Sequence, residues 1–171
     1  MTELRSKPGE IFDRVADDGE AFIIEKGGRR KACLVPLSVF FPDVSPTRIA
    51  DEIDELQKNG ETARVAITDQ RELALRFTCD MPGDDAVEVS IVLPHGYPST
   101  PPRVYAELGN TGDVAVPHRW DDGALCLYGV MSGWNPGRNT TLSTLRLTRQ
   151  WLQHYAAWQR AGAWPKFGDR P

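Results

Sequence analysis

The sequence predicts an α+β chain: a four-stranded antiparallel meander flanked by helices, preceded by a small helix-hairpin module. Three observations carry this. Apolar and polar residues alternate with period two in "ARVAIT", "ELALRFT" and "VEVSIVL", the mark of half-buried strands. Helical stripes bracket these strands on both sides. The chain also breaks at "FPDVSP" (41–46), where two prolines flank a polar turn, so a short first piece precedes a larger second one.

Each element follows from local rules. "SKPGEIFDRVADDG" predicts a helix with Ile11, Phe12 and Val15 on one face, Pro8 early and Asp17-Asp18-Gly19 at its end. "AFIIEKGGRRKACLVPL" reads as two strands joined at Gly27-Gly28. A piece this small buries too little to stand alone, so it is expected to dimerise or dock. Ser45 and Pro46 read as N-cap and first residue of the next helix. Its buried stripe is expected at Ile49, Ile53 and Leu56, and Asn59-Gly60 is its stop.

The strands then place Val65, Ile67, Leu73, Leu75, Phe77, Val87, Val89, Ile91 and Leu93 inward, with turns at Asp69 and Pro82-Gly83. A fourth strand is expected at "PRVYAEL" (102–108). Residues 109–140 fit no strand, and an irregular stretch of that length inside a compact domain is often functional. A last helix starts near Thr141 and ends at Gly162. Leu147, Trp151, Tyr155 and Trp158 are expected along one face, widened by Leu145 and Leu152.

The chain has 171 residues, 40% hydrophobic and 26% charged, with a net charge of -4, as an ordinary globular protein does. The negative balance does not favour nucleic acid as the main partner. No apolar run approaches the ~20 residues of a membrane span, and "MTELRSKPGEIFDRV" lacks a signal-peptide core, so a cytoplasmic location is expected. Three scattered cysteines argue against a disulfide framework, and three unpaired histidines against zinc. No phosphate-binding glycine loop occurs, so no cofactor is expected and any ATP-driven step falls to another protein.

Within the irregular stretch lies "HRWDDGALCLYGVMSGWNP" (118–136), which sets Cys126 between Leu125 and Leu127 after an acidic, Gly-containing turn. On its own the cysteine reads two ways. It is a small core thiol, as cysteine commonly is, or a nucleophile that holds an acyl group as a thioester and splits one difficult transfer into two easier steps.

Two patterns add to this. Tyr97, Pro98, Pro101, Pro102, Arg103 and Val104 resemble the proline-rich turn and following strand of ubiquitin-conjugating (UBC) enzymes. His118, the Leu125-Cys126-Leu127 segment, Trp134 with Pro136, and a helix from Thr141 follow in that family's order. The resemblance covers about residues 46–162. It implies that 46–171 is a UBC-like catalytic domain with Cys126 as the acyl carrier and His118 beside it.

There are departures from the family pattern. The family's His-Pro-Asn is absent, because Arg119 and Trp120 follow His118. That asparagine is linked to oxyanion stabilisation, so Asn135 or Asn139 is the expected substitute donor. The first helix, "ADEIDELQKNGE", is acidic where the family's is usually basic, which implies a different partner at that surface.

His118, Cys126, Tyr128, Trp134, Trp151, Tyr155, Trp158 and Trp164-Pro165 resemble more closely the conjugating-type proteins of bacterial anti-phage CBASS operons. That resemblance implies a cysteine thioester with the C-terminus of a protein substrate, a cGAS-like nucleotidyltransferase or a ubiquitin-like protein, passed on to an amine.

Residues 1–43 resemble the core of Phd/YefM antitoxins, through Glu3-Leu4-Arg5, Asp13 to Glu20, Phe22 to Ile24, Gly27 to Arg30 and Leu34 to Leu37. The resemblance implies a homodimerisation module. Two alternatives to the acyl carrier stand beside it: a catalytically inactive UBC-like scaffold, and an antitoxin-like regulator that binds DNA through Lys26, Arg29, Arg30 and Lys31.

Overall fold

The structure is a computed structural model and describes residues 7–39, 46–83, 86–109, 115–128 and 133–165. It divides into two compact units, Met1–Pro46 and Thr47–Pro171.

The first unit is a helix and a hairpin. Helix α1 (Pro8–Ala16) starts with proline in its first turn, where no N–H is needed, and Lys7 pairs with Glu10 at 2.8 Å. Ile11 and Val15, four apart, are buried. Phe12, expected on the same face, is 53% exposed, because one residue further is a 100° turn away from Ile11. Strands β1 (Phe22–Lys26) and β2 (Arg29–Leu34) pair antiparallel, Phe22 opposite Leu34 and Lys26 opposite Arg29. Gly27 and Gly28 both have positive φ, 61° and 70°, as a two-residue hairpin turn that matches strand twist requires. Arg14 ties helix to hairpin, since its guanidinium donates to both Glu20 carboxylate oxygens and lies over the Phe22 ring at 4.8 Å.

The second unit begins with helix α2 (Pro46–Lys58); the expected N-cap, Ser45, lies outside the described residues. The helix stops as predicted. Gly60 takes φ 77°, its N–H donates to the Gln57 carbonyl, and Glu61 N–H donates to that of Leu56. Ile49 and Leu56 are buried, but Ile53 is only half-buried, and the deeply buried neighbour is Glu52, at 4% exposure.

Strands β3 (Arg64–Ile67), β4 (Leu73–Cys79), β5 (Val87–Leu93) and β6 (Arg103–Ala106) form an antiparallel meander in that spatial order. Leu75, Ile91 and Val104 sit opposite one another on one face. Val65 pairs with Leu75 and Ile67 with Leu73, so both lie on the expected face. They are nonetheless 60% and 48% exposed: β3 is one of the sheet's two edge strands, and at the other edge, β6, the Leu125 turn docks.

Helix α3 (Thr141–Ala161) contacts β5. A capping box at Thr140 and Ser143 starts it, and Gly162 at φ 69° ends it. Its deepest apolar residues are Leu145, Leu152 and Tyr155, with Leu147 and Trp158 only half-buried, so the apolar stripe is rotated from the predicted one. Thr141, Thr144 and Thr148 complete the buried face. Burial is tolerable because the Thr144 and Thr148 hydroxyls donate to carbonyls one turn back, at 3.0 and 2.9 Å. Among the described residues no helix is long and apolar enough to cross a membrane.

Candidate functional site

Cys126 stands at the exit of a tight turn. The Trp120 N–H donates to the Ala124 carbonyl at 2.8 Å and the Gly123 N–H to that of Trp120 at 2.9 Å, with Gly123 at φ 84°. Asp122 accepts from the Ala124 N–H at 3.0 Å and pairs with Arg103 at 2.8 Å, while Arg119 Nε donates to the Gly123 carbonyl. Ala124 and Leu125 are buried, and the Leu125 N–H donates to the Val104 carbonyl at 2.7 Å, which docks the turn on β6. The chain therefore emerges at Cys126 from an anchored base. Cys126 is half-buried, whereas Cys33 is exposed on β2 and Cys79 is buried in β4. Burial pushes the Cys79 thiol above its ordinary range, as befits an inert core cysteine.

His118 meets Cys126 through the main chain. Its carbonyl accepts the Cys126 N–H at 2.9 Å. Its ring lies 4.9 Å from that of Trp164.

Tyr128 and Trp134 come together with Tyr97. Trp134 packs edge-on to Tyr128 with centroids 5.2 Å apart, lies 5.8 Å from Tyr97, and donates its indole N–H to the Pro98 carbonyl at 2.5 Å. The Tyr128 hydroxyl shares a hydrogen bond with Thr144 of α3 at 2.6 Å, and burial pushes its phenol up. Along the cysteine segment, Pro101, Pro102, Trp120, Leu125, Leu127 and Tyr128 line a shallow groove of about 380 Å³. Trp120 is 58% exposed there.

Asn135 and Asn139 brace one loop. Asn139 Oδ1 accepts the Asn135 N–H at 2.7 Å, and Asn135 Oδ1 accepts the Gly137 N–H at 2.9 Å. The Asn139 N–H in turn donates to the Asn135 carbonyl at 2.8 Å. Both carboxamide oxygens are thus engaged within the loop, which orients each amide plane.

Sequence reasoning missed what holds that loop in place. Glu52 accepts from Arg48 Nε at 2.6 Å, from the Tyr97 hydroxyl, and from both the N–H (3.0 Å) and the hydroxyl of Thr141. Arg48 also donates to the Asn139 carbonyl at 2.9 Å. One carboxylate therefore joins α2, the proline-rich turn and the start of α3. Burial, then the neighbouring Glu52 charge, push the Tyr97 phenol far up, so it stays a donor. The only signal in the sequence was an acidic residue beside the apolar stripe at Ile49 and Ile53, which reads equally as a solvated face.

These elements match a known family. The family model described as "Type II CBASS E2 protein" matches residues 52–171. Among solved structures, the yeast Vps23 UEV domain in complex with a Vps27 PSDP peptide is similar at 16% identity, covering 68% of this chain and 85% of that one, with a TM-score of 0.47. A complex of the Vps23 UEV with ubiquitin is similar at 16% identity, covering 66% and 84%, with a TM-score of 0.46. The comparison with curated proteins found no match. The matched residues contain the sheet, the braced turn before Cys126, the aromatic layer and α3, and through them the chain belongs to the Type II CBASS E2 family, UBC-like proteins of CBASS antiviral defence.

Proposed function

We propose that Cys126 is an acyl carrier that forms a thioester with the C-terminus of a protein partner and passes it to an amine. The observation that carries this is a half-buried cysteine at the exit of a turn anchored on β6, between two leucines that line an open groove, in the family-matched part of the chain. A buried core cysteine is built like Cys79; Cys126 is held at its backbone N–H and is only half-buried.

In the first step the Cys126 thiolate attacks a partner's C-terminal carbonyl carbon, already activated by another protein. The C–S bond forms and the activating group leaves with its electron pair. In the second step an amine attacks the thioester, the C–N bond forms, the thiolate leaves and solvent takes the amine proton. The oxyanion of each step needs an amide donor, and the Asn135 and Asn139 Nδ2 groups, with their amide planes set by the loop, fill that role. The resemblance to CBASS conjugating-type proteins supports a cGAS-like nucleotidyltransferase as donor, and the UBC-like fold leaves a ubiquitin-like protein as its rival. The first unit serves dimerisation, a role its exposed Phe12 and Ile23 suit.

A scaffold reading is favoured by one feature, the exposed Trp120 at the groove. Intact mass of the protein co-expressed with the proteins encoded beside it, wild type against Cys126→Ala, separates the two. A thiol-labile protein adduct on the wild type alone supports the carrier and its mass names the donor. No adduct on either protein, with a partner still co-purifying, sinks the carrier in favour of the scaffold.

A further inference from the structure

We propose that α3 sets the pose of Cys126 through His118, with Trp151 and Trp164 as positioning residues; this rests on the reading of Cys126 as the acyl carrier. His118 takes φ 53°, in the left-handed region that side chains other than glycine rarely adopt. Such a conformation persists where the surroundings over-determine it. Two donors do so here. The His118 carbonyl accepts the Cys126 N–H at 2.9 Å and the Trp151 indole N–H at 3.0 Å. A carbonyl oxygen has two lone pairs, and this one serves the cysteine with one and the helix with the other.

The helix side is firmly built. Trp151 is 4% exposed, so its indole N–H needs a protein partner. Its ring stacks on Tyr155, with centroids 5.5 Å apart and planes 9° apart, which fixes where that N–H points. The other side of His118 is held from the segment that follows the helix. Past Gly162 the chain turns back, and Trp164 lies 4.9 Å from the His118 ring and 5.3 Å from Trp151. His118 is thus clasped at its carbonyl by Trp151 and at its ring by Trp164. Any shift of α3 against the turn rotates the peptide that carries Cys126's hydrogen bond. The family pattern's histidine position here acts through its backbone.

Trp151→Phe keeps the ring and removes the donor. The readout is the iodoacetamide alkylation rate of Cys126 across pH, resolved by peptide mass spectrometry from Cys33 and Cys79. The expected result is a change of at least five-fold in the Cys126 rate for Trp151→Phe. Cys79 should stay protected, showing an intact fold. A Cys126 profile that superimposes on the wild type, with only a lowered unfolding midpoint, overturns the proposal and leaves Trp151 a packing residue. Should Trp151→Phe not fold, Trp164→Leu carries the same test from beyond the end of the helix, with the same two outcomes. Alkylation needs no acyl donor. A wild type that forms no adduct therefore removes the carrier reading without touching this result, and an unchanged profile removes the clasp without touching the adduct.

Discussion

Glu52, in the middle of α2, accepts the backbone N–H of Thr141, the first residue of α3, at 3.0 Å. An anion at a helix N-terminus is favoured by the helix dipole and by the unpaired N–H groups there. The same carboxylate accepts the Tyr97 hydroxyl, so three segments far apart in sequence share one acceptor. The arrangement satisfies a buried charge and fixes the frame on which the Asn135–Asn139 loop sits.

Glu52→Ala strands the Tyr97 hydroxyl and the Thr141 N–H in the core, and should destabilise the chain by about 3 kcal/mol or more. Tyr97→Phe removes one donor and leaves the others, with an expected loss of about 1–2 kcal/mol. Urea unfolding measures both. Equal losses in the two variants would contradict a shared acceptor.

Glu61 and Arg149 form a two-pronged pair, at 2.5 and 2.7 Å, between the chain before β3 and helix α3. The hydrogen bonds from Arg149 hold the Glu61 carboxyl below its ordinary value of 4.5. A depressed carboxyl contributes stability that is complete above the ordinary carboxylate range and is lost as pH falls through the depressed value. Glu61→Gln should therefore cost about 1 kcal/mol at neutral pH. The variant and the wild type should converge in stability as pH drops below 4.5. Thermal unfolding over pH 3–7 tests this, and a gap that stays constant with pH would refute it.

Gly123 sits at φ 84° in the turn before Cys126, and a Cβ there would meet the Arg119 guanidinium at 3.6 Å, an ordinary contact. The penalty of Gly123→Ala is thus backbone strain rather than a clash, about 1–2 kcal/mol. It should also raise the reactivity of the Cys126 thiol, because the same turn anchors both. Unfolding midpoints together with peptide-resolved alkylation measure the pair of effects.

Asn135→Ala should lower thioester transfer to an amine by about a hundred-fold if its amide is the oxyanion donor. Its Oδ1 caps the Gly137 N–H at a loop position, so the stability loss should stay near 1 kcal/mol. Single-turnover transfer from a preformed thioester isolates the step. Full transfer by this variant and a slow Asn139→Ala would assign the role to Asn139.

Much of the fold was legible because it rests on local interactions. Gly27-Gly28 and Gly60 adopt positive φ where the chain must reverse or stop, α3 starts at Thr141 and ends before Gly162, and period-two alternation marked β4 and β5. Alternation assigned Val65 and Ile67 to the correct face but could not show that β3 is an edge, since that depends on which strand has no further neighbour. Helical spacing found Leu145 and Leu152 yet set the stripe too far toward Leu147 and Trp158, because it counted no threonines. Those threonines are buried on the strength of hydroxyl bonds that hydropathy does not record.

The element order, the turn before Cys126 and the family pattern around it were readable residue by residue, since each depends on positions close together in the chain. Long-range packing alone makes Glu52 a buried hub, and only the folded path of the chain joins His118 to Cys126 through its carbonyl and engages the Asn135 and Asn139 oxygens in their own loop. Hydrogen bonds are directional and short. Whether a polar residue is solvated or becomes an internal tie is settled by which distant group folding brings within about 3 Å of it.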